Sequence, residues 1–429
     1  MQSQSRIAFV IAFLTSNICL AAPGDVDTSF GIDGRVYTDF FGQTDVLNTM
    51  ALDKQGRILA SGSASERYLE DNFALARYTS DGKLDASFAN FGRLTTSKVG
   101  NNKYLQDGVN GLGIQSDGGI IVCGRGIFEG ISGLVVLRYN DDGSLDQTFA
   151  QDGSAFIDDD IWQYHPLSLT LDDSDRIIVV AAGVNEGWTK SSFAVFRFSK
   201  DGALDNDFGL DGKVLTKITK GLDVPRAVKI DHQGNIVVGG FTGLNKFVVV
   251  RYLTQGVLDD SFGEHGKSII YFNDGGIDTL NALVIDDSGN IVVGGDVQVD
   301  SFAGLRMVDF GLARLLSNGQ LDRSFNGSGT IITQFIQRAA SSLWALALDS
   351  DNKIIAVGDA SVAKGLAMTR INPDGSFDES FGNMGKQVTV FGKTCHFESV
   401  LIQQDGKIVA GGYIFNSKQY DMALIRYSH

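Results

Sequence analysis

Three sets of residues recur along this chain at positions where they could hold a cation or a polar ligand. Just before seven successive apolar segments stand Asp45, Asp107, Tyr164, Asp223, Asp278, Ser341 and Cys395. One residue later come His165 and His396, and two further on Asn48, Asn110, Leu167, Arg226, Asn281, Trp344 and Glu398. Carboxylate oxygens are the ligands that Ca²⁺ prefers, and imidazole is the usual general base near neutral pH. If the segments converge on one channel mouth, Asp45, Asp107 and Glu398 are the expected metal ligands, with Ca²⁺ as the cation. They belong to the first, second and last repeats, which a closed ring makes neighbours. Asn48, Asn110, Asp223, Asp278, His165, His396, Arg226 and Trp344 are the expected ligand-binding side chains of the same mouth. The plainer reading has the aspartates capping strand starts and staying solvated, since Asp is also a common turn residue.

No familiar catalytic template accompanies them. GxSxG, HExxH, CxxC and EF-hand loops are absent, and the acidic run 158–160 lacks the glycine and spaced ligands of the last. His232 and His265 fall in turn signals and His429 is terminal, which makes them ordinary surface residues. Cys123 stands where other repeats carry Ser61, Val180 or Gly239, so a small buried thiol is expected rather than a nucleophile.

A second set of charges repeats more regularly. Arg77, Arg138, Arg197, Arg251, Arg314, Arg370 and Arg426 close seven apolar runs (FALARY, LVVLRY, FAVFRF, FVVVRY, FGLARL, LAMTRI, MALIRY). They match one for one the aspartates of a loop phrase resembling LDxSFGxxG: Asp27, Asp85, Asp146, Asp205, Asp259, Asp322 and Asp378. Sites repeated seven times usually build a fold, so each Arg is expected to pair with the loop Asp of its own repeat.

The elements that must position these residues are strands. The loop aspartates are separated by 58, 61, 59, 54, 63 and 56 residues, and internal repetition settles the architecture before anything else. A third phrase, ALDKQGRILASG from Ala51 and its six counterparts, joins two apolar runs through a short gap. The gap ends on Gly56, Gly118, Asp175, Gly234, Gly289, Asn352 or Gly406, residue types that tolerate positive φ, which marks a hairpin turn. Apolar runs of four to seven residues bounded by Gly, Asp and Asn are buried strands rather than helices. Each period therefore supplies four strands, in the first repeat near 46–52, 58–62, 73–78 and 93–96. Four antiparallel strands repeated radially describe a β-propeller blade. The chain ends on the third strand of its seventh period, and residues 24–40 hold a loop and fourth strand that follow no earlier repeat. An all-β, seven-bladed β-propeller closed by the N-terminal strand is expected for residues 23–429, since pairing first and last strands removes exposed edges.

The combination of DGxLDxSFGxxG, the QxDGKIvvgG hairpin and the arginine strand at a period near sixty resembles the bacterial delta-60 repeat family. The resemblance spans essentially all of residues 24–429 and implies a secreted or surface-associated propeller without an assigned catalytic activity.

Composition narrows the functions. A net charge of −15 without any basic run excludes a phosphate-backbone partner. Arg6, the apolar run 7–14 and Ala21-Ala22 read as a secretory signal over 1–22, too short to span a bilayer. Cys19 lacks the small preceding residues of a lipid-modified cysteine. With only Cys123 and Cys395 beyond that segment, a large core rather than disulfides must hold the domain. The expected function is an exported, periplasmic or extracellular, monomeric and non-enzymatic binding module for a protein, glycan or small-molecule ligand, without a transmembrane span. The alternative is a Ca²⁺-dependent hydrolase or lactonase-like enzyme at the channel mouth with His165 or His396 as base, and a purely structural surface component is a third.

Overall fold

A computed structural model describes residues 21–429 except 68–69, 101–102, 160–161, 273–275 and 303–304. Most of the expected leader, with Cys19, lies outside the described residues. Among the described residues there are seven antiparallel sheets; in six of them the neighbouring strands are consecutive in sequence, and the seventh joins the first strand to the last. Strands are lettered A to D outward from the ring axis. Blade 1 comprises Asp45–Leu52, Ile58–Arg67, Glu70–Tyr78 and Arg93–Thr96. The A strands of blades 2 to 7 are Lys103–Ile114, Trp162–Leu171, Val224–Ile230, Thr279–Ile285, Ser341–Leu348 and Cys395–Ile402. Each A strand touches the A strands of both neighbouring blades, so the seven enclose a channel. Blade 2 carries a short fifth strand, Lys98–Val99, beside the start of its A strand.

The ring closes as the split repeat requires. Blade 7 takes its D strand, Arg35–Thr38, from the other end of the chain, paired from Arg35 opposite Ile425 to Thr38 opposite Met422. All seven A–B hairpins carry positive φ at the expected position, even where it is not glycine: 59° at Asp175 and 58° at Asn352. The B–C hairpin of blade 1 runs further than the apolar pattern indicates, since polar residues continue the ladder to Arg67 and Glu70.

The core lies between blades rather than within one sheet. Leu134, Val136 and Phe149 of blade 2 pack with Ile177, Val179 and Phe196 of blade 3, and equivalent clusters fill the other junctions. At four junctions a buried tyrosine hydroxyl ending a C strand meets a threonine of the preceding D strand, as in Tyr78–Thr38 (2.6 Å) and Tyr427–Thr389 (2.7 Å).

Every arginine of the repeated set pairs with the loop aspartate of its own blade, at 2.7 to 2.9 Å where the Arg138–Asp146 pair is set aside. In six blades the guanidinium also lies 4.6 to 4.7 Å from the loop phenylalanine ring. In several it donates onward to a backbone carbonyl of the next blade, Arg251 to Ser317 and Arg426 to Ser80 among them. The aspartate's other oxygen accepts from the Ser or Thr two residues on, fixing the loop. These charges are consumed by the architecture. Cys123 and Cys395 are buried free thiols, and burial raises the pKa of both.

Candidate functional site

The A strands share one irregularity, and it builds the site. In each, pairing with the B strand skips a residue: the register jumps between Leu47 and Thr49, Val109 and Gly111, Pro166 and Ser168, Pro225 and Ala227, Leu280 and Ala282, Leu343 and Ala345, and Phe397 and Ser399. The unpaired residues are Asn48, Asn110, Leu167, Arg226, Asn281, Trp344 and Glu398. A bulge frees a side chain from the alternation of the strand and re-aims it. All seven line one cavity of about 350 Å³ in the channel. In every blade but the third, where Ala181 stands opposite Pro166, a glycine on strand B makes room for the bulge. A Cβ on Gly62 would meet the Val46 carbonyl at 2.0 Å, and one on Gly412 the His396 carbonyl at 1.8 Å.

The ring of bulged residues is uneven. On one side amides tie blades 1 and 2 together, with Asn48 donating to the Val109 carbonyl (2.9 Å) and to Asn110 Oδ1 (3.3 Å); Asn281 of blade 5 makes the same kind of bond to the Leu343 carbonyl of blade 6 (2.8 Å). Blades 4 to 7 instead gather ionisable groups. Asp359 Oδ2 accepts from Trp344 Nε1 and lies 2.9 Å from His396 Nδ1, while its Oδ1 accepts from the Phe397 amide. Tyr413 lies beside Glu398 and opposes part of the rise in its pKa. Asp296 Oδ1 accepts from the Leu343 amide.

Electrostatics sharpen the asymmetry. Burial, reinforced by the Asp359 carboxylate, pushes Glu398 up to about 7. Burial likewise pushes Asp296 to about 7. The hydrogen bond to Asp359 raises His396. Burial lowers Arg226 against the opposing pull of Glu398 and Asp296, and its Nε has no hydrogen-bond partner. Lys229 also lines the cavity and is exposed to the channel solvent. A proton-holding carboxyl, a carboxylate-oriented imidazole and an incompletely satisfied guanidinium can recognise an anionic group or exchange protons with a ligand.

The structure divides the residues expected to share one mouth. It brings Asn48, Asn110, Arg226, Trp344 and Glu398 round one cavity and sets His396 beside Trp344 through Asp359. His165 packs against Trp188 in blade 3, ring centroids 4.6 Å apart. Asp223 and Asp278 hold buried loops instead. Asp223 accepts from the amides of Ile218, Thr219 and Gly243, with Lys217 Nζ at 3.7 Å, and Asp278 accepts from Lys246 Nζ at 3.1 Å. Their short side chains, at strand starts, reach the neighbouring loop rather than the axis. The grouping of Asp45 with Glu398 needs correction: Asp45 meets Asp39 and Asp421 at the blade 7–blade 1 seam, whereas Glu398 faces the channel from its bulge. The side chain of Asp107 lies outside the described residues.

Asp296, Asp359 and Tyr413 escaped the sequence reading. They follow the strand B glycine of blades 5, 6 and 7, where blades 1 and 4 have Ser63 and Phe241. That variation was the available signal, hidden because the neighbouring glycines drew attention to backbone rather than to charge.

Among the described residues no helix is long and apolar enough to cross a membrane. No curated protein matches the sequence. Solved structures with the same fold include a polysaccharide lyase, Uly1 (TM-score 0.51, 8% identity, 92% of this chain and 91% of that one). Another is a catalytically inactive virginiamycin B lyase from Staphylococcus aureus with quinupristin (TM-score 0.50, 10% identity, 91% and 98%). A third is a PL25 ulvan lyase bound to a GlcA–Rha3S saccharide (TM-score 0.50, 11% identity, 92% and 98%). At such identities the likeness is one of fold. The family model described as "Domain of unknown function (DUF5122) beta-propeller" matches residues 56–88, 115–149, 234–262, 288–325, 350–381 and 403–428, so six of the seven repeats are similar in sequence to that β-propeller domain.

Proposed function

We propose that the protein is an exported binding module whose channel takes a small, polar, carboxylate-bearing ligand of about the size of one sugar ring. The observation that carries this reading is Arg226, a half-buried arginine on a bulge whose buried Nε is unsatisfied and which lines the same cavity as Glu398. An arginine in this state gains most from a ligand carboxylate, because the charge-assisted bond replaces hydrogen bonding lost on burial. Trp344, Asn281 and Asn110 supply apolar surface and amides beside it. The cavity is at the small end of ligand sites. Export rests on the leader-like residues 1–22.

A second reading uses the same groups for acid–base chemistry, favoured by the carboxyl of Glu398 near neutrality and the Asp359-oriented His396. Calorimetric titration with D-glucuronate, and with D-glucose as the uncharged control, tests the first. Binding of the uronate alone, weakened about tenfold or more in Arg226→Met, is the expected result. Equal affinity of the variant, or no preference for the acid, removes the role given to Arg226. Turnover of a uronate glycoside lost in Glu398→Gln would favour the enzyme.

A further inference from the structure

At the seam where the ring closes, three carboxylates meet without a salt-bridge partner among the described residues. Asp39 follows the closing strand, Asp421 is the second residue of the last strand, and Asp45 opens blade 1. A ligand oxygen from each lies within 4.8 Å of those from the other two. Asp45 is fully buried, and its Oδ1 has no hydrogen-bond partner, while Oδ2 accepts only from the Phe40 amide at 2.9 Å. Asp39 Oδ1 accepts from the Gly42 amide, and Asp421 Oδ2 from Asn416 Nδ2. Arg93 is close by, but it donates to the backbone carbonyl of Asp39.

The repeat shows what is missing. Strand register makes Thr38, Thr216 and Ile270 equivalent, each paired with the residue that is Met422, Phe193 or Phe247 in its blade. The residue after Thr216 is Lys217, which neutralises Asp223, and its counterpart after Thr38 is Asp39. The residue before Phe247 is Lys246, which neutralises Asp278, and its counterpart before Met422 is Asp421. Asp45 is the counterpart of Asp223 and Asp278. In blades 4 and 5 the Oδ1 of this aspartate also accepts a backbone amide, from Gly243 just after strand B and from Gln298 within it, that Asp45 lacks. Blade 1 thus keeps the buried aspartate and replaces both of the lysine positions with acid.

We infer that Asp39, Asp45 and Asp421 bind one Ca²⁺ ion at the closure seam, where the ion takes the place of the lysine ammonium of blades 4 and 5. Three carboxylates suit a hard cation that accepts flexible oxygen geometry. Exposed Asp39 gives the ion access from solvent. Because the ligands come from both ends of the chain and from the first blade, the ion fastens the ring independently of strand pairing. The site shares no residue with the channel cavity, so its fate does not depend on the function proposed there.

The test is thermal unfolding and calorimetric titration of the full-length protein in chelator and in millimolar CaCl₂. One bound ion is expected, with a rise in melting temperature of about 2–4 °C for each tenfold or so that free Ca²⁺ exceeds its dissociation constant. Asp421→Lys should reproduce the Lys246–Asp278 arrangement of blade 5: no Ca²⁺ response, and melting in chelator at or above the wild type. Asp39→Asn, an exposed change, should weaken Ca²⁺ binding, and Glu398→Gln should leave the response intact. Absence of Ca²⁺ binding by the wild type, or an undiminished response in Asp421→Lys, overturns the assignment.

Discussion

Arg426, on the last strand, sets its Nε 2.9 Å from the carboxylate of Asp27, so the seventh arginine clip is assembled from opposite ends of the sequence. The same arginine donates to the Ser80 carbonyl of blade 1 and to Ser29 Oγ. One side chain therefore joins the closing loop, the last strand and the first blade.

Deleting residues 24–40 removes that loop and the closing strand together. The edge of Tyr420–Tyr427 would then present unpaired amides and carbonyls. A lower melting temperature and concentration-dependent association in size-exclusion chromatography are expected. A monomer of unchanged melting temperature would show that the strand is dispensable.

Arg251→Met probes the clip where both partners are buried: Arg251 and Asp259 are 8% and 7% exposed. The variant strands the carboxylate, parts the guanidinium from the Phe262 ring and breaks the bond to the Ser317 carbonyl. A loss of about 3 kcal/mol in denaturant unfolding is expected, largely recovered by adding Asp259→Leu. A loss below about 0.5 kcal/mol would mean that the pair behaves as if exposed.

Stability should fall at both ends of the pH scale for opposite reasons. Burial pushes Glu398 up to about 7, so its protonated form favours the fold. That contribution is whole below about pH 4, where the unfolded chain is also protonated, and is lost as pH rises through about 7. Burial would raise Asp27 too, but the hydrogen bonds of Ser29 and the charge of Arg426 outweigh it and hold Asp27 at about 2. Its contribution is present above about pH 4 and lost as pH falls toward 2. Glu398→Gln should flatten the decline between about pH 5 and 8 and melt higher than the wild type at pH 8. Superimposable profiles would place that titration elsewhere, with Asp296 the next candidate.

How much of this was legible follows from how often each feature repeats. Asp175 and Asn352 could be assigned positive φ because five glycines shared their position, and Arg426 could be paired with Asp27 because six complete repeats contained the same two residues. The channel ring of Asn48 to Glu398 was also visible as a column, though not the bulge that aims it, since one skipped residue leaves no mark in an apolar strand. Asp45 was misplaced for a different reason. Its neighbours Asp39 and Asp421 are 382 residues apart in sequence, and only the seam brings them together. Asp359 and Asp296 were unreadable as site residues because their role depends on a partner in the next blade.

The pairing of Arg35 with Ile425 also sets an order of events during synthesis. Blades 1 to 6 can each assemble as their strands leave the ribosome, because their strands are contiguous. The seventh must wait for residues 420–427 and then take up residues 35–38, made long before them. Until that moment the nascent ring carries a free Arg35–Thr38 strand at one end and an open edge at the other, each a template for another chain. Closure between such distant residues is slow by its loop entropy. A late closure step of this kind makes folding yield, more than native stability, sensitive to whatever shields the open edges.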